Sequence, residues 1–347
     1  MLNIHANFIG GNIDVKSVGG DVITLENQLR DSPEWFYWAF CVEGACGREL
    51  TFQMQKHRLG YWGPAVSHDL KSWHWLENAK KNSFSYRFGK SEKRVYFAHH
   101  LLYHPHRFSE FLEEYGLCAT ELCRSRKGRS VPCLKLGDGE KSIILTARHH
   151  ACESTGSYVL EGVLRELIES PLERAQILCV PFVDYDGVLD GDQGKDRFPH
   201  DHNRDYIASP LYPEVRKILE YADRHGCHYG FDFHSPWHRG GENDNLFIVR
   251  NRVEKQDRFD RFSEELQREL SGTSIVYSKE NDRLPMMGWN QPSPNFAYTM
   301  NCRPTCDLAF SLETPYFGTA QSKISPETLI ELGRHFAKAI KAYIKSD

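Results

Sequence analysis

His150 and Glu153 stand three residues apart in the stretch Ala147-Arg-His-His-Ala-Cys-Glu-Ser154. An imidazole and a carboxylate at that spacing can converge on one cation, and zinc accepts both donor types. Whether they do depends on where they sit. Ser142–Ala147 before them is a short apolar run that reads as a buried strand. After them Val159, Leu160, Val163, Leu164 and Leu167 recur at helical spacing, with Ser154 or Thr155 as the expected N-cap. The pair therefore falls where a strand hands over to a helix, the place where open α/β sheets gather ligands. H-x-x-E alone is common by chance, so its weight comes from residues further along.

Three further pieces have the same character. Phe231-Asp-Phe-His234 puts a histidine at the end of an apolar strand. Taken alone, that histidine reads as one satisfied in the core. The segment Asp186–Asp205 is polar and glycine-rich, and a loop of that length is usually functional or disordered. It ends in Asn203-Arg204, a guanidinium beside an amide, which suits a free carboxylate or a solvated surface. Phe310-Ser-Leu-Glu313 ends an apolar strand on a carboxylate. Burial there is costly unless the group meets a cation or is poised as a general base.

The elements that must position these residues fall into two regions. Residues 1–117 carry short aromatic and β-branched runs at Phe8-Ile9, Val22–Leu25, Trp35–Cys41, Glu49–Met54, Phe84–Phe88 and Arg94–Ala98, punctuated by glycines. That grammar predicts an antiparallel β-sandwich or a small barrel. Trp62, Trp73, Trp75 and Tyr86 read as its core, with a carbohydrate-stacking surface as the alternative. His99, His100, His104 and His106 lack flanking carboxylates or cysteines and are not expected to hold a metal. From 118 to 347 strands alternate with helices. Strands are predicted at Ser142–Ala147, Gln176–Val183, His228–Phe233, Asn245–Val249 and Asp307–Leu312. Helices are predicted at Ser154–Glu169, Tyr212–His225, Glu254–Leu270 and Pro326–Ile344. The class is α/β, a mixed, mostly parallel sheet flanked by helices.

Composition narrows the partners. The 347 residues are 40% hydrophobic and 26% charged, as in a soluble globular protein, and the net charge of −4 gives no reason to expect nucleic acid or an anionic membrane. The first residues have neither a basic segment nor a long apolar core, and no apolar run approaches the roughly 18 residues of a membrane helix. A cytoplasmic location with ten reduced cysteines is expected. Cys302 and Cys306 have no second ligand pair beside them and read as free thiols.

The order H-x-x-E, Asn-Arg, His, Glu resembles the zinc metallocarboxypeptidases of the carboxypeptidase A superfamily. Within them it is most similar to the cytosolic carboxypeptidase branch, which includes tubulin deglutamylases. That branch carries a β-sandwich directly before the catalytic domain, and Tyr96-Phe-Ala-His-His100 resembles its end. Ala147–Ser154 resembles the family segment alanine-arginine-x-histidine-proline-glycine-glutamate, with Ala151-Cys152 in place of proline-glycine. The resemblance implies one zinc ion per chain, held by His150, Glu153 and His234, with Asp201 hydrogen-bonded to His150 and His149 a bystander. It implies Asn203 and Arg204 on the terminal carboxylate of a peptide or protein, Tyr298 as a further substrate contact, and Glu313 as general base and then acid. Arg197 is the implied residue for polarising the scissile carbonyl, with Lys195 as its rival. Arg303 is a candidate for favouring an acidic C-terminal side chain. Two other readings stand beside this one: an amidohydrolase of the same fold that deacylates small N-acyl amino acids, and an inactive peptide-binding protein.

Overall fold

In Glu49–Met54 every second side chain (Leu50, Phe52 and Met54) is buried, the period of a strand with one face on a core. The computed structural model describes residues 1–56 and 59–345 and places nine strands before the first helix. They are β1 Asn3–His5, β2 Asp14–Gly19, β3 Val22–Glu26, β4 Ala39–Glu43, β5 Glu49–Met54, β6 Ala65–Ser67, β7 His74–Trp75, β8 Ser83–Arg87 and β9 Arg94–Ala98. One sheet has the order β2-β3-β5-β8 and the other β1-β4-β9-β6-β7. Their facing sides share a core of Ile23, Phe40, Phe52, Phe84 and Phe97. Pairing is antiparallel apart from β3 and β5, which run parallel.

The five-stranded sheet is buried on both sides. Phe40, Val42, Val66 and Phe97 turn into the sandwich. Ala39, Cys41, Ala65 and Ala98 turn the other way and join the core of the second region. Small side chains on that outer face let the two regions approach closely. Trp73 and Trp75 are buried in the same shared core. Two expected strands differ. Phe8-Ile9 is a turn, because Gly10 adopts φ 81° and its N–H is carried to Leu189 O. The run from Trp35 enters the sheet only at Ala39, since Trp35–Tyr37 is drawn out toward the segment 190–197.

The second region opens with α1 Pro105–Glu114 and continues β10 Thr120–Arg124, β11 Ser130–Leu136, β12 Lys141–Ala147, α2 Ser154–Glu169, β13 Ala175–Val180, α3 Tyr185–Asp190, α4 Pro213–His225, β14 Tyr229–His234, β15 Phe247–Val249, α5 Gln256–Leu270, α6 Phe296–Asn301, β16 Leu308–Glu313 and α7 Pro326–Lys345. Its seven strands have the order β10-β11-β13-β12-β14-β16-β15. The central four run parallel, and the edges are antiparallel. Alternation along β12 sends Ile143 and Leu145 to the face covered by α2, α5 and α7, and Ile144 to the face covered by α4 and α6. β10 and β11 were not expected, because Pro132 and the charged residues of an edge strand read as loop. No helix among the described residues is long and apolar enough to cross a membrane.

Helix α2, which begins at the H-x-x-E segment, is pressed against α7 backbone to backbone. A Cβ on Gly162 would lie 2.0 Å from Ile330 O, and one on Gly333 would lie 2.0 Å from Val159 O. Gly333→Ala is therefore expected to lower stability by about 1–3 kcal/mol through overpacking. Urea unfolding followed by circular dichroism checks this, and an unchanged midpoint would mean the helices can separate freely.

Candidate metal and catalytic site

Strand register brings the chemistry together. β12, β14 and β16 run parallel with Ala147 opposite Phe233 and His234 opposite Glu313. His234 and Glu313 thus sit side by side at the ends of neighbouring strands, just below the turn that carries His150. In that turn Arg148 adopts φ 61° and its buried guanidinium donates to Ala151 O, Tyr103 O and Ser157 Oγ. This clasp fixes the bend at Ala151-Cys152, where the resembling family has proline-glycine. Gly194 packs on its far side, where a Cβ would meet Ala151 N at 2.2 Å.

The N-cap of α2 is Glu153, not Ser154 or Thr155, and its side chain caps nothing. The carboxylate turns instead to two imidazoles. His150 Nδ1 lies 2.8 Å from Oε1 and His234 Nδ1 lies 2.7 Å from Oε2, with Ser235 N–H donating at 3.3 Å. All three side chains are buried, and their donor atoms lie within 4.8 Å of one another. Burial alone would raise the Glu153 carboxyl. His150, Lys195 and His234 outweigh it and hold the group well below its usual range. For His234 burial acts downward, and the carboxylates of Asp232 and Glu153 hold the ring well above its usual value.

His234 also belongs to a second donor group with His149 and Asp232. There Asp232 Oδ2 meets His234 Nε2, while Oδ1 accepts from Thr146 Oγ1 at 2.8 Å and faces His149 Nδ1 at 2.8 Å. His149 Nε2 in turn meets Tyr206 OH at 2.7 Å. Asp232 is thus saturated and holds the rear nitrogen of His234, leaving Nδ1 toward the cavity, the arrangement in which an outer carboxylate orients a metal-binding imidazole. His149 is part of this support and not a bystander. Two imidazoles that line the cavity and the buried carboxylate between them match the donor types of a catalytic zinc. On the His150 side, Asp201 Oδ1 lies 3.6 Å from Nε2, an ion-pair distance. Asp201 is itself fixed by Asn203 N–H at 2.9 Å and Asp196 N–H at 3.1 Å.

The cavity, about 290 Å³, is walled by His150, His234, Glu313, Lys195, Asn203 and Arg204. Glu313 Oε2 is buried with no hydrogen-bond partner among the described residues. Burial pushes its carboxyl up; His234 opposes this and Glu153 adds to it. Arg204 is exposed, its guanidinium donating only to Asn203 O at 3.2 Å.

The residues expected to polarise a carbonyl are separated by the fold. Lys195 Nζ lies 3.4 Å from Glu153 Oε1 inside the cavity. Arg197 points to the other side of the loop, 2.9 Å from Asp184 and 3.2 Å from Asp31, in a separate cavity. Tyr298 is also not brought in. Ala297 lines the cavity, Phe296 and Met300 face the core, and the Tyr298 ring lies under Arg252. Arg303 pairs with Asp223 away from the site. Cys302 is an exposed free thiol and Cys306 a buried one.

Two contributors had little or no sequence signal. Asp232 was findable, since i and i+2 on a strand share a face. Trp35 was not. Its ring lies 4.9 Å from Lys195 Nζ, and its Nε1 donates to Lys195 O at 3.2 Å, beside Ser32 Oγ at 2.6 Å. The first region thereby supplies a wall of the cavity.

Comparison with known proteins agrees with this architecture. No family model matches the chain. A metallo-carboxypeptidase from Burkholderia cenocepacia superposes with a TM-score of 0.82 at 19% identity over 99% of both chains, which gives the chain the metallocarboxypeptidase fold. An uncharacterised protein of Zymomonas mobilis is 28% identical over 257 residues, 67% of each chain. Human cytosolic carboxypeptidase 2 is 31% identical over 136 residues, 30% of this chain and 15% of that protein.

Zinc titrated into metal-free protein is expected to fill one tight site per chain by calorimetry. His150→Ala should abolish it, and Asp232→Asn should weaken it by about 10–100-fold. Tight binding retained in His150→Ala would put the ion elsewhere.

Proposed function

We propose that this chain is a zinc-dependent carboxypeptidase that removes the C-terminal amino acid from a peptide or protein. One observation carries the reading: His150, His234, Glu313 and Arg204 line a single cavity, and buried Glu153 bridges the two imidazoles to complete a three-donor set. A zinc ion held by the three donors would supply Lewis acidity, making water a better acid and the scissile carbonyl a better electrophile.

The chain's own residues do the rest. Arg204 receives the terminal carboxylate, its fork matching both oxygens, and Asn203 adds an amide beside it. Glu313 accepts the proton of the attacking water and returns it to the leaving amine. Its raised proton affinity suits both halves of that task. Lys195, which lines this cavity while Arg197 lines another, would stabilise the developing oxyanion. Burial acts against its charge, but Glu153 outweighs this and keeps the ammonium protonated. The exposed rings of Trp237 and Trp289 flank the cavity. They offer apolar surface to residues preceding the scissile bond, which favours a peptide over a small N-acyl amino acid.

With zinc restored, Glu313→Gln is expected to keep fold and metal while losing about 10²–10⁴-fold in turnover. A loss below tenfold would point to another base. Lys195→Met should lower kcat by roughly 10²–10³-fold, the usual effect of deleting an oxyanion donor. Arg197→Met should leave kcat within a few-fold but cost about 3–5 kcal/mol of stability by stranding buried Asp184. The opposite pattern in the two variants would restore Arg197 as the electrophile.

A further inference from the structure

The far wall of the cavity is uncharged. Its charged members Lys195, Asp196, Arg204 and Glu313 lie on the segment 195–204 or at the end of β16, while the wall from 249–251 and 289–297 carries amides, hydroxyls, Trp289 and small apolar groups. Two amides there are each more than nine-tenths buried, Asn251 and Asn290, and their hydrogen bonds fix which atom of each is left unpaired.

Asn301 Oδ1 accepts from Ala309 N–H and from Lys255 Nζ, both at 3.0 Å, so its other atom must be the donor nitrogen. That nitrogen meets Asn251 at 2.7 Å, and the Asn251 atom facing it must be Oδ1. Asn251 Nδ2 is left buried with no partner among the described residues. A buried donor in this state is costly unless something fills it. Asn290 is fixed the other way round. Its Nδ2 donates to Arg250 O at 2.7 Å, Leu284 O at 2.9 Å and Arg283 O at 3.1 Å. Turning that amide over would set an oxygen against three carbonyls, so Oδ1 is the atom left to the cavity. The bond to Arg250 O keeps Asn290 beside Asn251. The wall therefore pairs one donor with one acceptor.

From this juxtaposition, and resting on the carboxypeptidase reading above, we infer that the C-terminal residue removed by this chain carries a side-chain carboxamide, glutamine or asparagine, with Asn251 as the specificity-determining residue. A carboxamide offers its oxygen to Asn251 Nδ2 and its NH2 to Asn290 Oδ1. A carboxylate offers only acceptors, would face Asn290 Oδ1 unfavourably, and finds no cation on this wall to offset its desolvation. An ammonium or guanidinium offers only donors and leaves Asn251 unpaired. A thioether or alkyl side chain leaves both amides unpaired, the situation in which a polar site rejects an apolar analogue strongly.

The zinc-loaded full chain should be assayed on peptides differing only in the last residue: glutamine, asparagine, glutamate, methionine or lysine. The better of the two carboxamide peptides is expected to exceed glutamate and methionine by at least about tenfold in kcat/KM. Asn251→Asp keeps the acceptor for Asn301 but presents an oxygen to the cavity. It should erase that preference and raise lysine relative to glutamine by about tenfold. Asn251→Ser, which removes the donor without adding charge, serves if the first variant fails to fold. Glutamate or methionine cleaved as well as the carboxamides, or ratios unmoved by either variant, overturns the inference. If no peptide loses its last residue, the carboxypeptidase reading fails instead. Calorimetry with free glutamine, glutamate and methionine then decides the pocket. Glutamine bound about tenfold tighter than the others, with the advantage lost in Asn251→Ser, supports it; equal or absent binding overturns it.

Discussion

A carboxylate with almost no exposed surface, Glu153, sets the terms for the whole candidate site. An unpaired buried charge of that kind would cost several kcal/mol even after relaxation. His150, His234 and Lys195 surround it, with Ser235 N–H and the first turn of α2 adding partial positive charge. Each partner comes from a different element. The turn after β12 must bend sharply, β14 must end level with it, and the loop 191–204 must lie across both. Arg148 holds the first, strand register the second, and Gly194 with Asp201 the third. Remove the need to neutralise Glu153 and none of these constraints has a reason.

That loop has little regular structure of its own, and the sandwich orders it. Asn12 Nδ2 donates to Gly191 O at 2.7 Å, Gln193 exchanges hydrogen bonds with the Tyr37 backbone at 2.8 and 3.0 Å, and Trp35 lies against Lys195. The buried Arg197–Asp184 pair pins the opposite side. Residues of the first region thus help to set where Lys195 stands.

Much of this was legible in the chain. Short aromatic and β-branched runs in Glu49–Met54 and Arg94–Ala98, and period-3.6 spacing in Ser154–Glu169, located those elements to the residue. His150, Glu153, His234, Asn203, Arg204 and Glu313 were legible through the order of their motifs, which resembles a known family; the structure brings five of them to one cavity and sets Glu153 between the two histidines. Direction was not readable. Lys195 and Arg197 are equally cationic and two residues apart, and only the acidic cluster at Asp31, Asp184 and Asp192 turns Arg197 outward. The N-cap was misplaced for a related reason: local propensity favours Ser154, but tertiary electrostatics claim Glu153. Trp35 meets Lys195, Asn251 meets Asn301 and Asn290 meets Arg250, each contact at least 40 residues apart in sequence, and spacing carries no trace of those.

The central claim is that Arg204 receives a free C-terminal carboxylate in front of the zinc donor set. The most direct measurement compares a peptide with its C-terminally amidated twin, following release of the last residue by mass spectrometry with zinc-loaded protein. Losing the carboxylate leaves the guanidinium partly desolvated and unpaired, worth about 1.5–3 kcal/mol. The account expects kcat/KM to fall at least about tenfold on amidation. Equal cleavage of the two peptides would contradict it, whatever metal the site holds.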